Sequence, residues 1–160
     1  MENGIKLDIG CGRMKPDGYI GIDCVQIIDG NGDKKVDVVM DIEKTSLPYI
    51  SDTVDEIRAF NVLEHLANLR FVLNDCHRVL KKDGFLWGTV PLAGTEKDFQ
   101  DPTHQRHFIK KTFLYFTGRN DAFPDQPSHP RYANYGYKPW DEVEVRVDGQ
   151  DIWFKLKPRK

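Results

Sequence analysis

The sequence predicts an α/β fold: a doubly wound, mostly parallel sheet with a shortened first crossover. Three observations predict it. A short apolar strand carrying Ile5, Leu7 and Ile9 runs directly into Gly10-Cys11-Gly12. A strand, helix, strand succession occupies residues 55–90 and implies parallel pairing through a right-handed crossover. Near the end, residues 143–147 and 152–156 flank Asp148-Gly149-Gln150-Asp151, which is the signature of an antiparallel hairpin.

The elements follow in order. Tyr19-Ile20-Gly21-Ile22 is a second strand that ends on Asp23, and Asp29 to Asp33 is a turn cluster. Residues 36–40 form a third strand closed by Asp41, and Thr45-Ser46-Leu47-Pro48 is loop. Residues 54–60 form a fourth. From 67 to 81 the apolar positions Leu69, Val72, Leu73, Cys76, Val79 and Leu80 repeat at three and four, which predicts a helix ended by Asp83-Gly84. Residues 85–90 form a fifth strand stopped by Pro91. Residues 110–118 predict another helix, and 119–140 a long loop with four prolines.

Size and charge narrow the function. One hundred and sixty residues, 39% apolar, fit a single domain spanning 1–160, with an acceptor-side loop over about 91–140. A chain this long buries roughly 70% of its unfolded surface. A formal net charge of −2 does not require a nucleic-acid partner. Cys11, Cys24 and Cys76 show no paired spacing, as expected of reduced thiols in a cytoplasmic protein. No signal region is visible, and no apolar run approaches the ~18 residues of a membrane span.

The first two strands describe a nucleoside site. Glycine at a strand's exit lets backbone approach a ligand, and an acid ending the neighbouring strand can accept from two ribose hydroxyls. A dinucleotide site needs a third glycine and a helix N-terminus facing the pyrophosphate. Here Lys15 stands three after Gly12, and nine residues separate the strands, fewer than a parallel crossover normally takes. A nicotinamide dehydrogenase is therefore not expected.

Leu7-Asp8-Ile9-Gly10-Cys11-Gly12 resembles the first motif of class I S-adenosylmethionine-dependent methyltransferases, and Asp23 matches their ribose-binding acid. Residues 39–42, 60–66 and 80–86 resemble later family motifs in order and spacing. The resemblance implies a Rossmann-like sheet of about seven strands ending in an antiparallel pair, with S-adenosyl-L-methionine as cofactor. It places Gly10 and Gly12 against the methionine part and ribose, Asp8 near the amino group or the structured water around it, and Asp23 at the ribose hydroxyls, with Cys11 and Cys24 as further cofactor-binding candidates. Asp41 and Ile42 would border the adenine, and Asn61 would face the ligand from the fourth strand's carboxyl end. With the first helix nearly absent, Arg13 or Lys15 could receive the methionine carboxylate.

Two polar clusters are candidates for the acceptor side. Glu64 and His65 follow Asn61 within one turn, and a histidine there suits proton removal. Gln100 to Phe108 carries Asp101, His104, Arg106 and His107, with His104 and His107 expected to orient the acceptor. Similar Asp-Pro-x-His-x-x-x-Phe stretches occur in some bacterial family members. Glu64-His65 also resembles the Glu-x-x-Glu-His element of magnesium-dependent methyltransferases acting on RNA 3′ ends or quinones. Asn61 replaces the first glutamate, which weakens a hard-cation site, so no metal is expected. His77 reads as surface and His129 as loop, while Tyr132, Tyr135, Tyr137 and Trp140 read as packing for the long loop, or as a lid. The expected activity is methyl transfer to a small molecule. The alternatives are a non-catalytic protein binding S-adenosylmethionine or S-adenosylhomocysteine, or magnesium-assisted methylation of RNA or a quinone. Oligomeric state is left open.

Overall fold

Alternation of apolar and polar residues sets the sheet. In the computed structural model, which describes residues 4–117 and 135–160, seven strands lie in the order β3-β2-β1-β4-β5-β7-β6. They are β1 (Ile5–Ile9), β2 (Ile20–Asp23), β3 (Val38–Val39), β4 (Val54–Phe60), β5 (Leu80–Pro91), β6 (Trp140–Asp148) and β7 (Asp151–Pro158). The first five pair in parallel, and β7 runs antiparallel between β5 and β6. The strand order reverses at β1, so the carboxyl ends of β1, β2 and β4 open onto one crevice.

One sheet face forms the core. Leu7, Ile57, Leu86 and Leu156 are in register across four strands and fully buried. Helix α1 (Leu69–Val79) supplies Val72, Leu73, Cys76 and Val79 to that core. Its first two expected residues stay outside the helix, because the Leu66 and Ala67 carbonyls accept from the Arg106 guanidinium. The helix stops at Val79, earlier than Asp83-Gly84, because Leu80 takes extended backbone and pairs with Val54. Asp83 and Gly84 therefore fall inside β5, where the register shifts. Helix α2 (Glu96–Phe99) follows β5.

Residues Lys110–Phe116 form a 3₁₀ helix rather than an α-helix. Its buried residues are Phe113 and Phe116, three apart, which matches the 3₁₀ repeat. The Phe113 ring packs 5.1 Å from Phe154. Three further expectations change. The third strand keeps only Val38–Val39 of the five residues read from the sequence, and Trp140 is a buried strand residue instead of loop packing. His77 is buried, not surface, with Nε2 3.2 Å from the Pro139 carbonyl and 3.3 Å from that of Arg159. His129 and Tyr132 lie outside the described residues.

The opposite face is finished differently. Neither residues 10–19 nor 24–37 contain a helix. Side-chain pairs cover the strands there. Glu56 accepts from Trp87 Nε1 at 2.7 Å and from the Tyr19 hydroxyl, and pairs with Lys6 Nζ at 3.1 Å. Arg58 lies over the Phe60 ring at 4.1 Å and Lys155 over Phe85 at 3.8 Å. Among the described residues, no helix is long and apolar enough to cross a membrane.

Candidate active site

A cleft of about 410 Å³ opens at the carboxyl ends of β1, β2 and β4. Gly10, Asp23, Cys24, Asp41, Ile42 and Asn61 line it, together with His65. Gly10 has a left-handed φ of 60°, and a Cβ there would meet Val62 Cγ2 at 2.4 Å. Only glycine fits that position. Gly12 is left-handed too, at 53°, and its amide donates to Asp23 Oδ2 at 3.0 Å. Asp23 Oδ1 accepts from the Val25 amide at 3.3 Å, so the carboxylate is held at the rim from both sides. Asn61 takes φ 52°, a conformation that asparagine adopts more readily than most residues and that is typical of functional turns.

Asp8, Cys11, Gly12 and Arg13 do not line the cleft. Asp8 is buried and pairs with Arg58 Nη1 at 2.6 Å, while its Oδ1 has no hydrogen-bond partner among the described residues. Burial pushes its carboxyl up to about 6 against the pull of Arg58. Cys11 is buried, and burial raises its thiol to about 11. Arg13 is exposed, whereas Lys15 Nζ is paired with Asp37 at 2.7 Å.

The two polar clusters, about 40 residues apart, meet beside this cleft. The Gln105 and Arg106 amides both donate to the Glu64 carbonyl, at 2.8 and 3.0 Å. Gln105 Nε2 donates to the His65 carbonyl at 2.8 Å. The His65 and His104 rings stand 4.8 Å apart, edge to face. Glu64 is fully buried, and desolvation raises its carboxyl to about 7. His107 stands apart from this group: its Nδ1 lies 2.9 Å from Asp98 Oδ1, and half of its side chain is exposed.

Sequence reasoning missed Ile22, Met40, Glu43, Val62 and Leu66 as lining residues. They flank the residues that were singled out, so a window of one or two positions around each motif would have found them. Thr103 and the tethering role of Arg106 carried no sequence signal, because both act on a turn some 40 positions away.

An apolar wall of Ile22, Met40 and Ile42, acids at the rim and exposed backbone at Gly10 suit an adenosyl group with an amino-acid tail. The volume falls in the usual range for small-ligand sites, roughly 300–1,000 Å³. Fold and cleft together define an α/β protein with a ligand-sized crevice at the switch point of its sheet. Residues 7–88, more than half the chain, match the methyltransferase domain family, and the chain belongs to that family, with S-adenosylmethionine as its cofactor. Comparison with curated proteins gives no match.

Solved structures share the fold at low identity. A SAM-dependent methyltransferase from Archaeoglobus fulgidus is 17% identical with a TM-score of 0.65, covering 96% of this chain and 86% of that one. A putative methyltransferase in complex with the Trm112 activator, from Haloferax volcanii, gives 13% and 0.63, over 99% and 83%. The 16S rRNA (adenine(1408)-N(1))-methyltransferase of Catenulisporales acidiphilia, with cosubstrate SAM, gives 12% and 0.56, over 98% and 87%.

Proposed function

We propose that this chain is a single-domain cytoplasmic enzyme that methylates a small-molecule acceptor at oxygen, nitrogen or carbon. The observation that carries the reading is the convergence of Glu64 and His104 on His65, which itself lines the cofactor cleft. The near-zero net charge favours a small acceptor over a nucleic-acid backbone.

The cofactor supplies a sulfonium-activated methyl group. The protein's task is to hold the acceptor in line with that bond, and positioning of this kind supplies much of the rate. In this reading Asp23 binds the ribose hydroxyls with Cys24 beside them, and Asp41 and Ile42 border the adenine. Gly10, Cys11 and Gly12 shape the loop under the methionine part, Asp8 lies buried behind that loop on the side of the amino group, and Asn61 contacts the cofactor from β4. Arg13 takes the carboxylate, since Lys15 is engaged by Asp37. Glu64, His65 and His104 activate the acceptor, and His107 orients it.

Asp23→Ala tests the cofactor half. Removing a charged acceptor of two hydrogen bonds should weaken S-adenosylmethionine binding roughly a hundredfold or more by calorimetric titration. Unchanged affinity would remove Asp23 from the site. A screen with radiolabelled methyl tests the acceptor half. Tight cofactor binding without transfer to any acceptor class would favour a non-catalytic binding protein.

A further inference from the structure

Glu64, His65 and His104 each place one donor atom within 4.8 Å of the others. The hydrogen-bonding state of each is fixed by its surroundings. His104 Nδ1 lies 2.8 Å from the Asp98 carbonyl, which can only accept, so Nδ1 carries the hydrogen and Nε2 the lone pair. The Thr103 hydroxyl donates to Asp101 Oδ1 at 2.7 Å, so its oxygen accepts from His65 Nδ1 at 2.9 Å. His65 therefore also keeps its lone pair on Nε2. Glu64 is fully buried, and neither carboxylate oxygen has a hydrogen-bond partner among the described residues. Asp101 Oδ2 stands 4.0 Å from His104 Nε2 and adds negative charge at the rim.

Two imidazole lone pairs and two carboxyl oxygens without a hydrogen-bond partner among the described residues thus lie together. Anchoring of the remote ring nitrogen by a carbonyl or hydroxyl is how proteins orient histidines toward a metal. Mixed nitrogen and oxygen donors suit first-row transition ions, whereas magnesium and calcium take oxygen shells. Asn61, where a magnesium site of the kind noted above would need a carboxylate, is not in this group and lies 3.5 Å from the Thr89 hydroxyl instead.

We propose that Glu64, His65 and His104 form a binding site for one divalent transition-metal ion, set behind the cofactor cleft and reached from it at His65. Its remaining positions would take the acceptor's oxygen. The ion site stands on this geometry alone; only the acceptor's role rests on the functional reading above.

The test uses the full chain, stripped of metal with a chelator. Equilibrium dialysis against Zn²⁺ and visible absorption on Co²⁺ addition should show one saturable equivalent per chain, with Mg²⁺ far weaker. Glu64→Gln and His104→Ala should each weaken Zn²⁺ binding at least tenfold, while His107→Ala leaves it unchanged. Absence of saturable Zn²⁺ and Co²⁺ binding to the unaltered chain overturns the proposal. So does binding that survives both ligand substitutions or that is lost in His107→Ala. S-adenosylmethionine titration on the same samples separates the two readings: cofactor binding without metal binding removes the ion site alone.

Discussion

His77 shows how much a single residue's role depends on what packs over it. On the helix it is one polar position among several, yet Pro139 and Arg159 bring two carbonyls onto its Nε2, and the Trp140 ring stands 5.3 Å away. Burial is the largest cause holding its pKa below the ordinary 6.5. A depressed histidine pKa means that the unfolded chain takes up the proton first as the pH falls. The stability this neutral histidine contributes is thus present above about pH 6.5 and lost as the pH drops through the lower folded value. Melting curves from pH 8 to 5 should show a shallower loss in His77→Gln than in the parent chain. The variant should also be about 1 kcal/mol less stable at pH 8. Parallel curves would mean that His77 does not titrate on unfolding.

At the scale of elements, β4 and β5 pair so closely that side-chain size is dictated by backbone. A Cβ at Gly88 would lie 1.7 Å from the Ala59 carbonyl oxygen, and neither strand can move without breaking the ladder. Gly88→Ala should cost roughly 3 kcal/mol or more in urea unfolding. Gly30→Ala, with nothing within 4 Å of its Cβ, should stay within about 0.5 kcal/mol. The segment after β5 is tied to the turn after β4 in the same spirit. Arg106 and Gln105 bind that turn's carbonyls, so this edge of the cleft is braced by hydrogen bonds between the two segments.

The whole molecule is a sheet with a packed face and a face closed by its own side chains. Glu56 is the centre of the second face, since Trp87, Tyr19 and Lys6 all bond to it. Glu56→Ala would strand the Trp87 and Tyr19 donors and should cost about 1–3 kcal/mol, with a shift in tryptophan emission. Glu144→Ala, on an exposed carboxylate, should change stability by less than about 0.5 kcal/mol. A Glu56→Ala variant as stable as the parent would mean that this face needs no such network.

The sequence by itself determined the strand order's raw material: two strands ending on glycines and an acid, a helix of clear period and a closing hairpin. Those signals are local, because alternation, turn residues and helical spacing act within a few positions. It also marked 61–65 and 100–108 as polar clusters, since histidines and acids crowded at strand ends are visible as composition. Only the tertiary structure decided that Glu64, His65 and His104 meet while His107 turns away to Asp98. It alone buried His77, shortened β3, and made residues 110–116 a 3₁₀ helix. Each of these outcomes depends on which distant surface covers a side chain, and a contact across 40 or 80 positions leaves no mark on the spacing of neighbours.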